Sequence, residues 1–196
     1  MADAWCGLAV ASLHADPDPT SEQVTQALRG EPLTVEERRE PWVRVTTAYG
    51  YPGWIASAAL AAKPLAEWLP PPREGDAIHE ARAYLGAPYL WGGMSALGID
   101  CSGLVHMAWR RLGRLVPRDA HEQAAAGAPV DAPCYGDLVV YGAESITHIA
   151  FWLDDRRILH AAGGRGVVEE EEPETLRCVR AGFVRFEPWP PLPHSS

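Results

Sequence analysis

Hydrophobic and polar positions change their period once along the chain. In the first third the apolar positions come in short runs: a stretch ending near Leu13, Pro32 to Val35, Trp42 to Thr47 and Gly53 to Ser57. Val43 and Val45 alternate with Arg44 and Thr46, the pattern of a half-buried strand. Short strands parted by Pro, Gly, Asp and Glu predict a small all-β barrel. That pattern stops at Pro70-Pro71-Pro72-Arg73-Glu74-Gly75, where successive prolines forbid helix and favour an extended spacer. Helical periodicity follows. Asp76 is placed to cap a helix through Leu85, stopped by Gly86 and Pro88. A second helix opens at Cys101-Ser102 and runs to Leu112, with Leu104, Val105, Ala108, Trp109 and Leu112 on one stripe and Gly113 at its end. Strands are predicted at Asp137 to Tyr141, Ile146 to Leu153, Arg157 to Ala161 and Phe183 to Phe186. Helices first and strands later predict an α+β domain. The expected division is a β unit over 1–66, a linker over 67–75, an α+β domain over 76–190 and a tail over 191–196. Within it the acidic run Glu169 to Glu172 reads as a solvated turn or strand edge.

Composition narrows the partners. A chain of 196 residues, 47% of them hydrophobic, can bury a real core. Its 17 basic and 26 acidic side chains leave a formal charge of −9, and no Lys/Arg cluster stands out. Phosphate backbones and anionic membranes are repelled by such a surface, so neither nucleic acid nor membrane is an expected partner. No apolar run is long enough to span a bilayer. The first residues carry an acid where a secretory signal carries positive charge. Cys6, Cys101, Cys134 and Cys178 lack metal-type pairing, and a chain this size needs no disulfide staples. These features point to a reduced, cytoplasmic setting, or a secreted one if a signal peptide has been removed. No metal or organic cofactor is implied, and oligomeric state has no signature.

One cysteine stands apart. Asp100-Cys101-Ser102-Gly103 falls at a predicted helix start, where unpaired amides and the positive end of the dipole favour a thiolate. The amide of a residue there is also suited to an oxyanion. A nucleophile of this kind needs a base, and the base an orienting group. His148 and His160 flank the acidic connection at Asp154-Asp155. If their strands pair about a short turn, the two are expected opposite each other, with His160 accepting the Nδ1–H of His148. The competing reading is a small buried hydrophobe and two ordinary strand histidines. A Cys/His/His metal site lacks a fourth ligand. His14, His79, His106, His121 and His194 read as surface or helix residues, and Trp42, Trp54 and Trp109 as core.

The second domain resembles the NlpC-type bacterial cell-wall cysteine peptidases, papain-like enzymes with a Cys-His-His triad. Pro88-Tyr89-Leu90-Trp91-Gly92-Gly93, Asp100 to Val105, Pro117-Arg118-Asp119 with Gln123, Gly136-Asp137-Leu138, Thr147 to Ala150 and Leu159-His160-Ala161 carry the likeness in order. The first domain is similar to the bacterial SH3-like modules that precede them, through Val24 to Glu31 and Gly50-Tyr51-Pro52-Gly53-Trp54-Ile55. Together they resemble the γ-D-glutamyl-L-diamino acid endopeptidases of cell-wall peptide recycling. The resemblance implies helices packed on an antiparallel sheet, with Cys101, His148 and His160 catalytic. It implies a murein peptide substrate, L-Ala-γ-D-Glu-diamino acid, whose free amine meets Asp16, Tyr51 and Asp119. Tyr89 is then expected near the oxyanion, with Trp91, Asp100 and Ser102 on the substrate side. Ala120 departs from the small hydroxyl residue expected after the Arg-Asp pair and puts one substrate hydrogen bond in doubt. The alternatives are a secreted hydrolase of intact wall, a non-enzymatic wall-binding module, and an acyltransferase or amidase using the same triad.

Overall fold

The computed structural model describes residues 2–186; the expected tail over 191–196, His194 and the end of the second domain lie outside the described residues. The early runs form an antiparallel seven-stranded sheet. Its members are β1 (Ala4–Cys6), β2 (Val10–His14), β3 (Gln23–Leu28), β4 (Pro32–Arg39), β5 (Trp42–Thr46), β6 (Pro52–Ala56) and β7 (Leu60–Ala61), ordered β3-β2-β6-β5-β4-β1-β7. Val43 and Val45 bury with Leu13, Ala27, Leu33 and Ile55 in one cluster, so the alternation on β5 is that of a strand with one face in a core. Trp54 is buried, whereas Trp42 is only half-buried.

β3 has no apolar alternation because its polar side chains face the rest of the chain and not water. Thr25 and Gln26 are buried. Thr25 Oγ1 accepts from Arg118 Nε at 3.0 Å, and Gln26 Oε1 accepts from the Met94 amide at 2.9 Å. Residues 62–76 hold neither helix nor strand. They are fastened all the same: Trp68 is buried, and the Arg73 amide donates to Leu112 O at 3.0 Å.

The later part contains α1 (Ala77–Arg82), a hairpin of β8 (Met94–Ser95) and β9 (Gly98–Ile99), α2 (Cys101–Arg111) and α3 (Ala120–Ala126). A six-stranded sheet follows from β10 (Ala128–Pro129), β11 (Leu138–Tyr141), β12 (His148–Asp154), β13 (Arg157–Ala162), β14 (Gly166–Glu171) and β15 (Arg180–Arg185), with the short α4 (Glu174–Arg177) before β15. Its order is β10-β15-β11-β12-β13-β14, antiparallel throughout. Asp76 caps α1 by accepting from the Ile78 amide at 2.8 Å, but the helix ends at Arg82, short of the expected Leu85. α2 packs Leu104, Val105, Ala108 and Leu112 on Ile149, Phe151 and Leu159. Trp109 is half-buried, edge-on to Phe186, and so lies at the rim of that core. The fold is α+β, with helices on an antiparallel sheet beside an all-β unit.

The sheet has a second face, where Val139, Tyr141, Ala150, Trp152 and Ile158 cluster. Side chains alternate along a strand, which assigns His148 and His160 to this face as well. The two are not directly opposite. Phe151 pairs with Leu159 and Trp152 with Ile158, so His160 falls across from Ala150, and His148 is its diagonal neighbour. The two-residue turn Asp155-Arg156, where Arg156 takes a positive φ of 71°, pairs Asp154 with Arg157, and a bulge between Trp152 and Asp154 shifts the register to this offset.

Candidate active site

Cys101 is the first residue of α2, and the helix start is built by its neighbours. Asp100 is the cap: its Oδ1 accepts from the Gly103 amide at 2.6 Å. Its other oxygen accepts from the Gly92 amide at 2.8 Å. Arg118, buried completely, grips both carboxylate oxygens at 3.0 and 2.6 Å and reaches Ser102 Oγ at 2.9 Å. Glycine at 103 is required by close approach, since a Cβ there meets Gly93 O at 2.3 Å. Asp100 and Ser102 thus line the cleft, yet their polar atoms are committed to holding the helix start.

The amides of Ile149 and Ser102 face the Cys101 sulfur, which sets the thiol beside the residue that follows His148. Burial, followed by the charge of Asp100, pushes the thiol up to about 12 in spite of those amides. The helix start alone therefore does not hold a resting thiolate. His148 is driven down to about 4 by burial and by His160, against the pull of Asp100. His160 is also lowered by burial, although Glu170 opposes this. In the open cleft the thiol and both imidazoles are neutral at pH 7.

His148 meets His160 through Nε2, not through the expected Nδ1: Nε2 lies 2.8 Å from His160 Nδ1, with the rings edge-on at 5.1 Å. Tyr141 lies 5.7 Å from the His148 ring centre. Behind His160 stands Glu170, its Oε1 2.9 Å from His160 Nε2, held in turn by Arg165. The acidic run is thus an edge strand with divided duties: Glu169 pairs with Arg82, Glu170 with His160, and buried Glu172 with Arg180 and Tyr141.

A cleft of about 570 Å³ opens at Cys101. The second part of the chain lines it with Tyr89, Trp91, Asp119, Ala120, His121 and Thr147, and the first part with Glu22, Val24 and Tyr51. Tyr89 stands near the sulfur, and burial, followed by its proximity to Cys101 and Asp100, pushes its phenol up to about 12. Trp91 is 60% exposed, which excludes a core role, and its Nε1 donates to Glu22 Oε1 at 2.8 Å. Tyr51 donates to Asp119 Oδ2 at 3.1 Å across the seam. Asp16 is not brought here. It lies in an exposed turn braced by Ser21, and the acid that the first part of the chain supplies to the cleft is Glu22, just before β3.

Glu22, Arg118 and Glu170 are the site residues that sequence reasoning misses. Only Arg118 carried a signal, its place beside Asp119. Of the other histidines, His121 lines the cleft and His106 is fully buried against Tyr49 at 4.5 Å. Among the described residues no group of three or more His, Cys, Asp or Glu is placed to hold a metal ion. No helix among them is long and apolar enough to cross a membrane.

A cysteine at a helix start, set against a sheet with adjoining histidines and flanked by an all-β unit, defines the class of this chain. The chain belongs to the NlpC/P60 family: residues 86–177 match that family and residues 13–60 match the bacterial dipeptidyl-peptidase Sh3 domain. A Bacillus cereus protein named gamma-D-glutamyl-L-lysine dipeptidyl-peptidase is 34% identical over 107 residues, 52% of this chain but only 32% of that relative's length. A Corynebacterium glutamicum protein named "Probable endopeptidase" is 31% identical over 152 residues, 75% of this chain and 70% of its own. A solved NlpC/P60 family protein from Bacillus cereus shares the fold with a TM-score of 0.83, over 94% of this chain and 99% of that one, at 21% identity.

Proposed function

We propose that the chain is a cysteine endopeptidase that hydrolyses the γ-D-glutamyl-diamino acid bond of freed cell-wall peptides beginning with an unblocked L-Ala. The observation that carries this reading is the lining of the Cys101 cleft, to which Glu22, Tyr51 and Asp119 come from both parts of the chain. A peptide ammonium is a fitting guest for two carboxylates and a hydroxyl, and an acylated amine leaves them unmatched. The B. cereus relative's name points to the same bond.

In this reading Cys101 passes its proton to His148 as sulfur attacks the γ-carbonyl, since the resting pair is neutral. Nδ1 is the receiving atom, because Nε2 is engaged with His160. The Cys101 amide, with no acceptor four residues back in its helix, and the Tyr89 hydroxyl stabilise the oxyanion. His148 then protonates the leaving amine, and water releases the thioester. Asp100 and Arg118 keep the helix start in place throughout.

The test is incubation of L-Ala-γ-D-Glu-diaminopimelate with the protein and mass spectrometry of the products. L-Ala-D-Glu and free diaminopimelate are expected, with Cys101→Ala inactive. Another cut bond, or turnover by Cys101→Ala, sinks the proposal.

A further inference from the structure

Behind the two histidines the hydrogen bonds continue for one more link, and that link decides where the protons lie. His148 Nε2 is 2.8 Å from His160 Nδ1, and His160 Nε2 is 2.9 Å from Glu170 Oε1. Arg165, in the turn between β13 and β14, binds Glu170 through both of its terminal nitrogens. Strand alternation turns Glu170 to the face that bears His160, as its diagonal neighbour, since Ile158 pairs with Glu170 and His160 with Val168. The groups that face His160 are then His148 on β12, Glu170 on β14 and Arg165 in the turn. Beyond His148 lie Tyr141 on β11 and, on the α2 side, Asp100.

The protons follow from elementary donor counting. A carboxylate clasped by a guanidinium is ionised, and an ionised carboxylate only accepts. The pairing with Arg165, helped by His160 and opposed by burial, keeps Glu170 below the usual carboxylate range. The proton between Glu170 and His160 therefore sits on His160 Nε2. A neutral imidazole has one N–H, so His160 Nδ1 must accept. His148 Nε2 then carries the other proton, and His148 Nδ1 is left bare. Without Glu170 nothing forbids the mirror arrangement. His160 carries its proton on Nδ1 and donates it to His148 Nε2, and the proton of His148 sits on Nδ1, where a thiol proton can no longer be received.

We infer that Glu170 is a positioning residue which, acting through His160, sets the tautomer of His148 and keeps its Nδ1 open to the proton of Cys101. The inference rests on the reading of Cys101 as nucleophile and His148 as base, and is independent of which peptide is cut.

The ring nitrogens are read directly by 15N NMR of the imidazoles at pH 7, and the thiol by its alkylation rate with iodoacetamide in a Cys134→Ser/Cys178→Ser background. Alkylation forms a C–S bond, expels iodide and gives the thiol proton to the base. In the unmutated rings both His148 and His160 are expected protonated on Nε2; a proton on His160 Nδ1 overturns the inference without any variant. In Glu170→Ala a shift of His160 towards the Nδ1–H form is expected, with Cys101 alkylation slowed roughly tenfold or more. In Glu170→Gln the side-chain carbonyl still accepts, so the Nε2–H form and most of the alkylation rate are expected to return. Unchanged tautomers and rate in Glu170→Ala contradict the role, as does failure of Glu170→Gln to restore them. None of these readouts uses the peptide, so a failed cleavage assay and a failed role for Glu170 are separate results.

Discussion

Cys101 and His148 are both neutral at rest for the same reason, burial, which pushes the thiol up to about 12 and the imidazole down to about 4. A base with a lowered value stays unprotonated to lower pH, so the acid limb of kcat/KM is expected near pH 4 to 5, below the ordinary histidine value of about 6.5. Short assays with a return to pH 7 as control separate this from acid unfolding, and an acid limb at the ordinary value contradicts the neutral resting pair. The helix start at Cys101 and the meeting of His148 with His160 were legible in the sequence, because Asp100-Cys101-Ser102-Gly103 is a capped start and the two histidines flank one turn. The ring atoms were not, because the Nε2 contact depends on a diagonal offset set by the bulge between Trp152 and Asp154. Glu170 was hidden by its neighbours: inside an acidic run only strand alternation tells which carboxylates turn inward.

Among the elements, α2 was legible to within one residue, since its apolar stripe is the face that packs on β12 and β13. β3 was not, because Thr25 and Gln26 spend their polarity on the seam. α3 was not either, because its short, alanine-rich sequence has no apolar stripe and docks through buried Gln123, which donates to Ser102 O and Pro117 O. A buried tie among these elements is Arg118, which joins α2 at Asp100 to β3 at Thr25. Arg118→Met leaves a buried carboxylate without its cation and is expected to cost about 3–5 kcal/mol in urea unfolding. A loss under about 1 kcal/mol contradicts that role. The buried pair serves to hold the Cys101 helix start in place, so the variant is expected to lose kcat as well as stability.

Across the whole molecule the cleft belongs to neither part alone. The second part lines it with Cys101, Tyr89 and Asp119, and the first with Glu22 and Tyr51. Of the residues that motif resemblance singled out, Tyr51 and Asp119 line the cleft and Asp16 does not, because a sequence shows which acids precede a motif and not which one folding turns inward. Glu22→Gln and Tyr51→Phe are expected to raise KM for a free-amine peptide about tenfold, with kcat nearly unchanged, since a bond to a charged group is worth roughly 1.5–3 kcal/mol and is made equally in ground and transition states. The role of the cleft carboxylates is read from the ratio of kcat/KM for L-Ala-γ-D-Glu-diaminopimelate over its N-acetylated form. A preference of at least about tenfold for the free amine is expected, and equal cleavage of the two peptides contradicts a cleft that selects an unblocked L-Ala.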